Sequence, residues 1–227
     1  MKLAAGRSVW LFLLIQLAAY AVFVYLDLAR MGEGSAPVKY GAILLCLAFS
    51  WYWSGRGGER LVAAALTLTL AADTFLLLLG CWYGLGVALF CAVQGLYLRR
   101  IWKENGGHAL WLLRLGLSAL SLILLGALDL LTALNALALC YFSNFLCNVL
   151  QTLPLGGLRM GLFRLGLALF LCCDVCVGVF NAPGLFPAPL TVLARVGMWL
   201  FYLPGQVLIA LSSLPEPILR GKENEDK

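Results

Sequence analysis

Residues 60–80 read RLVAAALTLTLAADTFLLLLG, and the fold class turns on them. Apart from Arg60 at the start and Asp73 in the second half, no side chain in the stretch carries a charge. A run of this length, wound as a helix, crosses a hydrocarbon layer of about 30 Å. Hydrocarbon offers a backbone amide no partner, so a crossing segment is either a helix or a strand of a closed barrel. The sustained period-two alternation of a membrane barrel is absent from the chain, which leaves helix.

Similar runs recur on both sides. The expected spans are 8–29, 37–53, 59–80, 82–99, 109–127, 130–152, 160–181 and 191–213. They predict an all-α bundle of eight transmembrane helices in a single domain over residues 1–219, with a charged tail over 220–227. Turn chemistry punctuates them: Gly32-Glu33-Gly34-Ser35, Ser54-Gly55-Arg56-Gly57-Gly58, Asn105-Gly106-Gly107, Pro154-Leu155-Gly156-Gly157 and Asn181-Ala182-Pro183-Gly184. The third and fourth spans, and the fifth and sixth, are joined so tightly that each pair must be an antiparallel hairpin. The first span resembles a signal peptide in having Lys2 and Arg7 before it and Ala19-Tyr20-Ala21 within it. Its apolar run continues to Leu28, however, which favours a retained helix.

Composition agrees. Of 227 residues, 63% are hydrophobic and 12% charged, and the mean hydropathy is +0.93. A soluble domain needs more polar surface than that. The net charge of +5 does not point to nucleic acid, because the basic residues stand singly or in pairs between apolar runs. They carry topology instead. One set of alternate loops receives Lys2, Arg7, Arg56, Arg60, Arg99, Arg100, Lys103, Arg159, Arg220, Lys222 and Lys227; the other receives only Arg30, Lys39 and Arg195. Both termini are therefore expected in the cytoplasm. The eight cysteines fall almost wholly inside apolar spans and read as small hydrophobes. Cys173 and Cys176 form a CxxC without a second pair or a nearby histidine, which is too little for a zinc or redox site. His108, the single histidine, lies in a loop, so no histidine-based triad or metal site is expected within the bilayer, and no cofactor.

Ionisable groups at bilayer depth need a reason. Asp73 stands 13 residues beyond Arg60, about 20 Å along a helix, and Asp174 stands ten beyond Arg164. Either could serve as helix glue, for instance by bonding Thr69 one turn away. Other spans carry polar faces at helical spacing: Tyr141, Asn144, Asn148 and Gln151; Arg195, Trp199, Tyr202 and Gln206; Gln94 and Tyr97. Amide stripes ordinarily bond between helices, but several stripes together with two aspartates can satisfy one another by converging on a shared polar cavity. Lys39 and Arg195 sit at helix ends, where a long cation either snorkels to the headgroups or holds a lipid phosphate at the cavity mouth. Asp27 and Asp129 lie near water, where a carboxylate is ordinary.

At these polar positions the chain resembles the YhhN-like membrane proteins, the family that includes the animal lysoplasmalogenases. Val38-Lys39-Tyr40 resembles the family's Val-Lys opening of its second helix, and Ala72-Asp73-Thr74 occupies the place of its Gly-Asp segment. Tyr83-Gly84 to Leu96-Tyr97 resembles its Gly…Phe…His-Leu-Leu-Tyr helix. Leu169-Phe170-Leu171-Cys172-Cys173-Asp174 is similar to its Leu-Phe…Ser-Asp segment, and Tyr202-Leu203-Pro204-Gly205-Gln206-Val207-Leu208-Ile209 to its last-helix signature. The chain departs from the family in having Gln94 where His is common, Cys173 for Ser and Ala72 for Gly.

The resemblance implies hydrolysis of the vinyl ether of a lysophospholipid, releasing a fatty aldehyde. Such cleavage needs a proton delivered to carbon and then water captured by an oxocarbenium ion, which suits one carboxylic acid and one carboxylate. On this reading Asp73 and Asp174 are catalytic, in either order. Gln94, Tyr97, Asn144, Tyr202 and Gln206 line the site, and Lys39 or Arg195 meets the phosphate. The rival expectation is a small transporter or lipid-binding protein using the same cavity without chemistry, with Pro204 as a kink in the last span. A purely structural subunit fits the polar faces less well.

The charge asymmetry makes a prediction about orientation. Tags at Met1 and at Lys227 should both report the cytoplasm, and a tag at Gly184 the opposite side; a terminal tag found outside would overturn the even number of spans.

Overall fold

A computed structural model describes residues 2–29, 34–107, 109–182 and 184–219. Arg30, Gly32 and Glu33 of the first turn, His108, Pro183 and the tail from Arg220 lie outside the described residues. The chain is all-α, with no strand among the described residues. The helices are α1 (Lys2–Ala29), α2 (Ser35–Ser54), α3 (Arg60–Asp73, continued by a π-helical turn, Thr74–Leu79), α4 (Tyr83–Glu104), α5 (Trp111–Ala127), α6 (Ala133–Thr152), α7 (Leu158–Phe180), α8 (Ala188–Leu211) and the short α9 (Glu216–Leu219).

The eight long helices match the eight expected runs one for one. Six of them, α1, α3 with its extension, α4, α6, α7 and α8, are long and apolar enough to cross a membrane, as a multi-pass membrane protein requires. The other two differ for readable reasons. α5 is a shorter apolar helix of 17 residues, while α2 carries Lys39, Ser50 and Ser54 and turns them inward.

Local chemistry sets the ends. The Glu59 side chain accepts from the Leu61 amide to cap α3, and Thr132 does the same for Asn135 at the start of α6. The Arg164 guanidinium on α7 donates to the Leu153 carbonyl at 2.8 Å, meeting a carbonyl the end of α6 leaves free. The regular helix expected through residue 80 instead widens after Asp73. There the Leu70 carbonyl receives both the Thr74 amide and, at 2.9 Å, the Thr74 hydroxyl. Such back-bonding distorts a helix. Gly80 then turns the chain with φ 59°, a conformation that favours glycine.

α8 is the hub, packing on α7, α2, α1 and α3, whereas α5 leans on α6 at the edge. The closest approach is between α7 and α8, where Gly166 faces Gly205. A Cβ on Gly166 would stand 2.8 Å from the Gly205 carbonyl oxygen, and a Cβ on Gly205 would stand 3.0 Å from the Gly166 carbonyl oxygen. Small residues permit such backbone contact in lipid, where dispersion drives helix association. Pro204 lies one residue away inside α8 and cannot donate to the Leu200 carbonyl. The Tyr20 hydroxyl of α1 donates to that carbonyl instead, at 3.3 Å.

Gly166→Ala should therefore lower the resistance of the protein to unfolding in mixed micelles by about 1–3 kcal/mol, the scale of overpacking. Gly95→Ala, whose new methyl meets no atom within 4 Å, should not. Equal midpoints for the two variants would show that α7 and α8 do not need the contact.

Candidate functional site

The two aspartates have matching partners. Asp73 ends α3, is 5% exposed, and its carboxylate accepts from the Tyr202 hydroxyl of α8 at 2.8 Å. Asp174 on α7 accepts from the Tyr141 hydroxyl of α6 at 2.6 Å. Among the described residues neither carboxylate has a hydrogen bond to the other or an ion pair with a cation. Aromatic rings fill the interval between the pairs. Phe170 lies 5.3 Å from Tyr202, 4.9 Å from Phe145 and 5.6 Å from Phe90, and Phe90 is 6.1 Å from Tyr141. The buried Cys173, next to Asp174 on α7, lies near enough to both carboxylates for their charges to act on its thiol.

Lys39 is buried at the α2 end of this region. Its ammonium pairs with Asp27 of α1 at 2.7 Å and lies 4.8 Å from the centre of the Trp199 ring and 5.5 Å from that of Phe23. Asp27, expected to sit in water, is thus the counter-ion of a buried lysine. Arg195, exposed on α8, is close enough to Lys39 for the two charges to repel. Trp199 stacks edge-on against Tyr202 at 5.1 Å, which connects the lysine cage to the Asp73 pair.

The polar stripe of α6 divides. Only Tyr141 reaches a carboxylate. Asn144, Asn148 and Gln151 all receive the guanidinium of Arg114, which is 3% exposed near the start of α5. Its Nε donates to the Ala109 carbonyl at 2.7 Å, and one terminal nitrogen donates to the Asn144 carbonyl at 2.9 Å. Asn148 in turn donates to the Gln94 side-chain oxygen at 2.8 Å and to the Gln94 carbonyl at 3.0 Å. Asn144 therefore serves the arginine, and Gln94 ties α4 to that network while its amide nitrogen lies beside Tyr141.

Two arginines escaped the sequence reading. Arg114 lies within the apolar run Trp111-Leu112-Leu113-Arg114-Leu115, where counting loop charges passes over it. Its signal was the amide stripe on the paired helix, three acceptors with no donor assigned. Arg100, counted among loop charges, is 1% exposed. It donates to the Ser212 hydroxyl and carbonyl, both at 2.8 Å, closing the end of α8 from α4. Tyr97 and Gln206 lie between Arg100 and the Asp73 pair, fully buried, and form no hydrogen bond of good geometry through their side chains. No protein-family model, curated protein or solved structure matches the chain.

Chemically, the site offers two carboxyl groups held apart, each with a phenol that can share its proton, and packed aromatic rings between them. Cations are confined to the two ends.

The Arg114 ladder makes a structural prediction. Arg114→Met leaves buried amide acceptors unpaired and should destabilise the protein by about 1–3 kcal/mol. Arg114→Lys should not restore it, because one ammonium cannot satisfy the same planar set of acceptors. A melting temperature in detergent that is unchanged in Arg114→Met would remove the ladder as a structural element.

Proposed function

We propose that the chain is a membrane-embedded hydrolase of the vinyl ether bond in lysoplasmalogen-type lysophospholipids, like the YhhN-like proteins it resembles. In this reading all eight long helices cross the bilayer, α2 and α5 included, with both chain ends in the cytoplasm, and the protein resides in the cell membrane. The observation that carries the proposal is the pair of tyrosine-held carboxyl groups, Asp73 with Tyr202 and Asp174 with Tyr141, with the ring of Phe170 packed between them.

One carboxylic acid gives its proton to the vinyl carbon β to the ether oxygen, leaving an oxocarbenium ion. The other carboxylate stabilises that cation and takes a proton from the water that adds to it. As the hemiacetal breaks its bond to the glycerol oxygen, the second carboxyl gives that oxygen the proton it took from water and the first carboxylate takes the hemiacetal hydroxyl proton, so aldehyde and glycerophospho-alcohol leave and both groups are reset. The phenols of Tyr202 and Tyr141 keep each carboxyl in place through these exchanges. Aromatic rings beside the developing cation suit it, since their faces attract positive charge. Lys39 is already neutralised by Asp27, so the phosphate falls to Arg195, exposed beside it at the same end.

A second reading keeps the lipid and drops the chemistry. A groove of about 340 Å³ between α1 and α8, lined by Leu13, Gln16, Leu17, Tyr20, Leu203, Pro204 and Val207, could seat an alkyl chain in a transporter or lipid carrier.

Purified protein should release aldehyde from lysoplasmenylethanolamine. Asp73→Asn and Asp174→Asn should each lower turnover by at least about a hundredfold, the lower scale of acid–base catalysis, with little change in binding of an uncleavable ether analogue. Arg195→Gln should instead act mainly on KM. Full activity in both Asn variants would dismiss the two-carboxylate mechanism, and binding without aldehyde release would favour the carrier.

A further inference from the structure

α3 and α8 run antiparallel and are tied at two levels. The Glu59 amide donates to the Ser213 carbonyl at 2.8 Å where α3 begins, and Tyr202 donates to Asp73 where it ends. Between these ties, Thr69 stands one turn from Asp73 on α3 and Gln206 one turn from Tyr202 on α8, so the two lie at the same height. Tyr97 of α4 reaches the same place. Its hydroxyl approaches Thr69 and lies within the field of Tyr202, while its ring packs edge-on against Phe163 at 5.3 Å.

All three side chains are fully buried. The Thr69 hydroxyl, the Tyr97 hydroxyl and both polar atoms of the Gln206 amide are without a hydrogen-bond partner of good geometry. Eight such atoms stand unmet among the described residues, and four of them gather here; Gln16 Oε1, Trp53 Nε1, Gln94 Nε2 and Arg100 Nε are one to a residue, while Arg114 makes five side-chain hydrogen bonds and the proline-freed Leu200 carbonyl is capped. Buried polar groups in native proteins are almost always bonded, to protein or to ordered water. Four unmet atoms on three helices at one height, able between them both to donate and to accept, suit water, which makes two to four hydrogen bonds in such places.

We infer that Thr69, Tyr97 and Gln206 form an internal water-binding site one helical turn from Asp73, on its Arg100 side. The site stands on these side chains alone. Only its role, supplying the water that enters the oxocarbenium ion, rests on the hydrolase reading. It separates the two reactants: lipid reaches the carboxyls from the Lys39 and Arg195 end, and water waits on the opposite side of Asp73. Arg100, one turn further along α4, suits a water reservoir and opposes a cation path, because a buried guanidinium repels hydronium and metal ions.

Hydroxyl-radical labelling by synchrotron radiolysis, read residue by residue by mass spectrometry on the full chain in detergent, tests the site without substrate. Radicals form from water held in place, so Tyr97 should be oxidised several-fold faster than Phe163, an equally buried ring in contact with it. Thr69→Val and Gln206→Leu should each bring Tyr97 toward the Phe163 rate. Tyr97 labelled no faster than Phe163 in the wild-type protein would overturn the site, as would fast labelling that neither substitution reduces. If Gln206→Leu does not fold, the wild-type rates and Thr69→Val decide the matter. Aldehyde release assayed on the same samples separates the two claims. Turnover with an unlabelled Tyr97 removes the site and leaves the hydrolase, whereas a labelled Tyr97 without turnover keeps the site and removes its role in hydrolysis.

Discussion

Hydrocarbon offers no hydrogen bonds, so every polar group carried into the bundle must be met by another that the chain also carries. Most of the interior follows from this constraint. Arg114 reaches across to a ladder of amides on α6, Lys39 is answered by Asp27, and Arg100 by the end of α8. Even the carbonyl released by Pro204 finds a hydroxyl on another helix. The aspartates are met differently. Each receives a neutral phenol in place of a cation, which holds the carboxyl in position without fixing its charge. That is the condition a group needs if it is to give up and regain a proton.

Packing places these pairs. The backbone contact of Gly166 with Gly205 brings α7 onto α8, and so sets Asp174 and Tyr202 on adjoining helices. Phe170, one turn from Asp174 on α7, lies against Tyr202 and stands between the two pairs. The α3 helix brings Asp73 to the opposite side of Tyr202 and then widens into its π turn. π turns inside helices often accompany functional sites. Here it follows directly on the residue proposed to exchange protons.

Legibility divided along physical lines. The eight long helices could be read because apolar runs announce a helix and glycine, proline and asparagine announce its breaks, and six of them have the length and apolarity to cross a membrane. Asp73 and Asp174 could be read because a carboxylate amid leucines is rare. The pairing of Asn144 and Asn148 with Arg114 could not, since an amide stripe looks the same whether it faces a substrate or an arginine on another helix. Arg100 looked like one more loop charge because sequence shows the approach of a helix end but not which side chains turn inward. Asp27 and Lys39 stand 12 residues apart, one on α1 and the other on α2, close enough in sequence to have been paired, yet helix ends leave several orientations open.

The amino-acid sequence by itself determined that this chain is a helical membrane bundle and which few polar residues lie in its interior. Those follow from hydrophobicity and helical period, which act along the chain. Which tyrosine meets which aspartate, which amides are spent on Arg114, and the convergence of Thr69, Tyr97 and Gln206 beside Asp73 were decided only in the tertiary structure. Tyr202 is 129 residues from Asp73, and no local rule reaches that far: such pairs arise when helices pack and each buried polar group takes the partner that packing brings to it.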